Sequence, residues 1–143
     1  MKYDQLLQLY FERSNALQWY WTVYVVVIGG LLAFSSIRKQ PDAITGVLIT
    51  ILYCCFAYKN LGAIRDCTMQ RLATLETMRQ VPMLADTAPY EGLTRQNIEP
   101  TLQPPDYPGV RNFHIASDAL TVAALWAMEL RRRRMARTLP EAA

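Results

Sequence analysis

From residue 15 to residue 36 the chain carries no ionisable side chain other than tyrosine. The middle of that run, Val23-Tyr24-Val25-Val26-Val27-Ile28-Gly29-Gly30-Leu31-Leu32, is almost purely apolar. A helix of about 20 such residues matches a hydrocarbon core about 30 Å thick. After the break Arg38-Lys39-Gln40-Pro41-Asp42 a second uncharged run occupies residues 43–58. Two membrane-crossing helices joined by a tight turn satisfy this pattern.

A soluble domain could bury two apolar helices, so that alternative has to be weighed. Composition alone is ambiguous, with 52% hydrophobic and 19% charged residues and a mean hydropathy of +0.03. The average mixes unlike parts, because charged residues are nearly all excluded from the two runs and crowd into their flanks. An amphipathic helix shows polar residues every turn on its outer face. The first run offers only Thr22, Tyr24 and glycines on any face. A helix apolar all round, outside a large protein core, belongs in lipid.

The flanks agree. Trp19, Tyr20, Trp21 and Tyr24 cluster where the first helix enters, and Tyr53, Phe56 and Tyr58 where the second leaves. In a hairpin those ends share one side of the bilayer and form one aromatic belt. Lys59 can snorkel there, letting the apolar run continue through Leu61 and Ile64. Pro41 suits the first turn of the second helix, where its missing N–H is no loss. The opening Met-Lys-Tyr-Asp-Gln and the length of the first run do not fit a cleavable signal peptide.

Before the first run, Tyr3, Leu6, Leu7, Tyr10, Leu17 and Tyr20 recur at helical spacing, with Asp4, Gln5, Gln8, Glu12 and Arg13 elsewhere. The pattern predicts one long helix from about Tyr3 to Arg38. After the second run, Leu61, Ile64, Cys67, Thr68, Leu72, Leu75 and Met78 form a matching stripe. Both stalks emerge on one side and can pack antiparallel. Residues 1–80 thus read as a long helical hairpin, with spans at about 17–37 and 43–61 and amphipathic stalks at 3–16 and 62–80.

Residues 81–112 differ in character. Pro82, Pro89, Pro100, Pro104, Pro105 and Pro108 lie here with Gly92 and Gly109, a density that forbids a long helix or a central strand. An extended connection is expected, with a short helical turn near residues 94–99. It serves either as a plain tether or as a segment laid across a partner. A third helix is expected over residues 113–135, followed by a tail at 136–143. Phe113, Ile115, Leu120, Val122, Leu125, Trp126 and Leu130 are apolar, and Arg131, Arg132, Arg133 and Arg134 follow directly. Its 18-residue apolar part would reach about 27 Å, enough to cross. His114, Asp118 and Glu129 count against a span, since Asp costs about 2.5–3.5 kcal/mol at a helix centre and less near an end. With three spans, Arg38, Lys39, the four arginines and Arg137 share the cytoplasmic side. With two, the last helix packs on the stalks. The arginine run favours three.

Each helix offers a small-residue seam: Gly29 and Ala33; Gly46, Thr50 and Cys54; Ala119, Ala123 and Ala127. In lipid, close approach over small residues drives association, so these seams are expected to pack the spans together or against a neighbour. Cys54 and Cys55 are adjacent, which disfavours a relaxed disulfide, and core filling is expected of them and of Cys67. His114 and Asp118 share a helix face with Thr121. That polar stripe is either an internally satisfied pair or the lining of an ion or proton path. Arg38, Lys39, Arg131, Arg132, Arg133 and Arg134 read as lipid head-group and topology anchors.

A net charge of +3 is too small to argue for nucleic acid. No Cys-x-x-Cys pair, His/Cys cluster, phosphate-cradling glycine loop or nucleophile elbow is present, so neither a metal, a cofactor nor catalysis is expected. The fold class expected is an all-α integral membrane protein, a transmembrane hairpin plus a third C-terminal helix, in the style of the bacterial inner membrane with its C-terminus cytoplasmic. The leading function is a non-catalytic accessory or assembly subunit whose partners are the lipid bilayer and other membrane subunits. The alternative is a small homo-oligomeric pore or ion or proton transport element. Topology is open to direct test: Thr87→Cys will be labelled by a membrane-impermeant thiol reagent in intact cells if there are three spans, whereas protection leaves two.

Overall fold

The computed structural model describes residues 2–81, 95–102 and 106–138. The prolines at 82, 89, 104 and 105, Gly92, Thr87 and the tail beyond residue 138 lie outside the described residues. Among the described residues the chain is all-α, without strands.

Helix α1 covers Tyr3–Ile37 as one uninterrupted element, about 52 Å long at 1.5 Å per residue. Its first turn is closed by the Lys2 backbone N–H, which donates to Gln5 Oε1 at 3.0 Å. The Arg38 N–H ends it by donating to the Phe34 carbonyl. Helix α2 covers Ala43–Gln80. Pro41, expected in its first turn, lies before it. Asp42 is the N-cap, and its Oδ1 accepts from the amides of Ile44 and Thr45 at 3.0 and 3.2 Å. A carboxylate satisfies two orphan amides and favours the positive helix end, so it sets the start and leaves Pro41 one residue outside. Hydrogen bonds from the Thr45 hydroxyl and amide hold the Asp42 carboxyl below its ordinary range.

Helix α3 covers Tyr107–Thr138, longer at both ends than the expected 113–135. Pro108 and Gly109 fall in its first turn, where a missing N–H costs nothing, and the Val110 amide bonds the Asp106 carbonyl at 3.2 Å. At the other end the arginines continue the helix, as good helix formers do. Residues 95–98 form a helical turn that passes into a 3-10 turn, Glu99–Thr101.

Helices α1 and α2 run antiparallel, with Tyr10 beside Arg71 and Leu17 beside Ile64. α3 lies beside both: His114 is level with Tyr24 and Asn60, Asp118 with Tyr53, and Arg132 with Ser35. It therefore rises parallel to α1 and keeps company with the apolar halves of both partners. α1 and α2 are each long and apolar enough to cross a membrane; α3 is not among such helices. Only 11% and 22% of the residues in their apolar windows are buried within the bundle. A soluble protein's core helices would be mostly covered.

The hydrophobic core lies in the stalks. Leu6, Tyr10, Leu75, Met78 and Leu102 form one buried cluster, and Leu17, Ile64 and Cys67 a second. Leu72, expected on the buried stripe, is 40% exposed. Arg95 closes the stalk end. It donates to the carbonyls of Met78 and Val81 at 2.8 Å each, pairs with Glu99 at 2.7 Å, and lies over the Tyr3 ring. Those carbonyls end α2, the Met78 one already accepting from the Val81 amide, so a cation there meets spare acceptor capacity at the negative helix end. Replacing Met78, which is fully buried, with alanine should cost about 2–5 kcal/mol, read as a lowered unfolding midpoint in mild detergent.

Candidate functional site

Beyond the stalks the bundle interior turns polar. Tyr24 from α1, Tyr53 and Asn60 from α2, and His114 and Thr121 from α3 are all buried there. Their centre is Asp118. Its Oδ1 accepts from the Tyr24 hydroxyl at 2.8 Å and from the Tyr53 hydroxyl at 2.7 Å. Its Oδ2 lies 2.8 Å from His114 Nδ1. One carboxylate thus ties three helices together.

The arrangement follows from helical spacing. His114 and Asp118 are one turn apart on α3 and face the same way. Tyr53 and Asn60 are two turns apart on α2 and meet the two of them in turn. The His114 ring lies against Tyr24, with centroids 4.2 Å apart, and the Trp21 ring stands 5.9 Å from it. A carboxylate accepts only, so the Nδ1 nitrogen carries hydrogen. Asn60 Nδ2 stands 3.3 Å from His114 Nε2, so the ring is held at both nitrogens.

A second polar cluster lies toward the other end of α3. Glu129, with a side chain 2% exposed, accepts from Arg132 Nη2 at 2.9 Å and Arg133 Nε at 3.2 Å. Arg132 Nη1 donates to the Ser35 carbonyl at 2.6 Å. Ser35 lies in the last turn of α1, whose carbonyls have no helical partner. Arg132 thus caps α1 from a neighbouring helix.

Several residues take other places than expected. Arg132 is buried and bonded to Glu129 and Ser35, and Arg133 is half-buried and bonded to Glu129; Lys39, Arg131 and Arg134 are exposed. Tyr24 and Tyr53 turn inward rather than joining an aromatic belt, while Trp19 and Tyr58 remain exposed. Cys54 and Cys55 face outward instead of filling the core; only Cys67 is buried, and burial pushes its thiol pKa up. Gly29, Ala33, Cys54, Ala119, Ala123 and Ala127 are exposed, and Gly46 and Thr50 half-buried. A Cβ added at Gly29 or Gly46 would meet nothing within 4 Å. The seams do not bring this chain's own helices together, because the interior positions are filled by large tyrosines and ion pairs.

Sequence reasoning found His114, Asp118 and Thr121 but missed Tyr24, Tyr53, Asn60 and Ser35. The signal was present: Tyr24 and Tyr53 sit deeper in their apolar runs than interfacial residues need to. Chemically the cluster can orient helices and hold a proton. Among the described residues no group of three or more His, Cys, Asp or Glu side chains is placed to hold a metal ion. Comparison with protein families, curated proteins and solved structures finds no match to this chain.

If Asp118 is the knot, Tyr24→Phe and Tyr53→Phe should each cost about 0.6–1.7 kcal/mol, the range for such bonds between membrane helices. Asp118→Ala should cost more than either, because it leaves three donors unmet. Unfolding titrations in mild detergent will measure this, and an Asp118→Ala variant as stable as the parent would remove the carboxylate from the centre of the fold.

Proposed function

We propose that this chain is a non-catalytic, three-span integral membrane protein that serves as an accessory or assembly subunit of a larger membrane complex. One observation carries it: the bundle uses its polar chemistry inward and leaves its outside apolar. Asp118, His114, Glu129 and Arg132 bond to the chain's own residues. Val25, Val26, Leu52 and Leu120 on the outside are each more than 60% exposed. That is the distribution lipid requires, since unpaired polar groups are costly in hydrocarbon.

A third crossing is supported by the alignment of α3. It runs level with the apolar stretch of α1 from Tyr24 to Ser35, so a bilayer around α1 and α2 would contain it as well. Its ionisable side chains face protein at that depth, which makes the crossing affordable. In that arrangement the α1–α2 turn and the end of α3 share the basic, cytoplasmic side.

The accessory role is supported by what remains free. The Gly29/Ala33 stripe and the Ala119/Ala123/Ala127 stripe face away from the bundle, where small residues allow a neighbouring helix to approach closely. The pore alternative would need His114 and Asp118 to face a shared axis, and both are engaged inside one chain.

The deciding experiment is the native mass of the protein purified from its own membrane in mild detergent. Co-purification of larger subunits is the expected result, and their identity would define the complex. A clean multiple of 16.4 kDa would replace the accessory role with a homo-oligomer, and a monomer would overturn both.

A further inference from the structure

Next to the Glu129–Arg132 cluster the three helices part into a cleft. Arg38 and Arg132 line it together with the apolar side chains of Ile49, Leu125 and Trp126. Its cavity volume is only about 10 Å³, room for one water-sized group, and it opens to the outside. Such a shape takes the tip of a polar group with an apolar body lying below it.

The two arginines differ in what they have left to give. Arg132 is spent, with Nε and Nη2 on Glu129 and Nη1 on Ser35. Arg38 has a side chain only 16% exposed, yet its one hydrogen bond is from Nη2 to the Asp42 carbonyl at 3.2 Å. The Asp42 carboxylate pairs with the same Nη2 at 3.9 Å, and the guanidinium lies over the Phe34 ring at 5.9 Å. The Arg38 Nη1 and Nε groups make no hydrogen bond to protein among the described residues. Lys39, Arg131 and Arg134 are exposed around the same end, while the acid in the cleft, Glu129, is already paired twice. The field at the mouth is positive, and a guanidinium fork is suited to phosphate oxygens.

We infer that this cleft binds the phosphate of an anionic phospholipid, with Arg38 as the donor and the Ile49, Leu125 and Trp126 wall receiving the first part of an acyl chain. The inference rests on the membrane arrangement proposed above. A soluble phosphate ester offers the same oxygens but nothing to cover the apolar wall.

Trp126 supplies the reporter. The full chain carrying Trp19→Phe and Trp21→Phe, which leaves Trp126 as the sole tryptophan, is reconstituted in phosphatidylcholine bilayers. Brominated phosphatidylglycerol or brominated phosphatidylcholine is added at equal mole fraction. One well-placed basic contact is worth roughly a five-fold preference. The expected result is that much stronger quenching by the brominated anionic lipid. The preference should disappear in Arg38→Gln and persist in Arg134→Gln, an exposed arginine at the same end. Retained quenching by brominated phosphatidylcholine in Arg38→Gln will show that the bundle is intact. Equal quenching by both lipids overturns the inference and leaves the spans standing, as does a preference that Arg134→Gln abolishes equally. A preference erased by inorganic phosphate at constant ionic strength overturns the lipid as occupant in favour of a soluble phosphate. Quenching by neither lipid means Trp126 is not among acyl chains; the membrane arrangement then fails, and the lipid site with it.

Discussion

A carboxylate cannot sit among apolar helices without donors, and the position of α3 follows from how Asp118 meets that demand. Tyr24 and Tyr53 approach it from two different helices. Each donates to the same oxygen, so the three elements must converge within hydrogen-bond distance of one point. The cost of leaving such a group unpaired far exceeds the net gain from any one bond, and that asymmetry makes the register of α3 specific. An apolar contact surface would tolerate sliding by a turn.

The same logic repeats at the other end of α3, where Arg132 answers the last carbonyls of α1 and Glu129 answers Arg132. Between them the two polar knots fix both the height and the rotation of α3 against its neighbours. The stalks solve a different problem. There the interior is Leu6, Leu75, Met78 and their neighbours, and the exposed surface carries Arg65, Asp66, Glu76 and Arg79. One pair of helices thus changes its inside from apolar to polar along its length, in step with the reverse change outside. Such a switch is what two different solvents along one axis would impose.

The hairpin was legible in the sequence because its evidence is one-dimensional: uncharged runs of set length, a break between them and stripes at helical spacing. Its ends were less so. Asp42 overrides Pro41 as the start of α2 through a side-chain bond that no periodicity reveals. α3 reaches back to Tyr107 because Pro108 and Gly109, read as breakers, are harmless in a first turn. The candidate site was half visible. His114 and Asp118 announce themselves as ionisable residues four apart, but Tyr24, Tyr53 and Asn60 become their partners only once the helices are set side by side. The small-residue seams were ambiguous for a related reason: a stripe states what could approach closely, and not whether the approaching helix belongs to the same chain.

Arg95 has a consequence for the stretch of chain that precedes it. Its guanidinium reaches the Val81 carbonyl, so residues 81 and 95 are tied directly to each other. The two anchor points are fixed by groups that lie outside the intervening stretch. Lengthening a closed loop is cheap, with each doubling adding only about 0.6 kcal/mol in closure entropy. The stalk end therefore acts as a clasp: Arg95 holds the end of α2 against the turn at Glu99, whatever the length of chain that joins them.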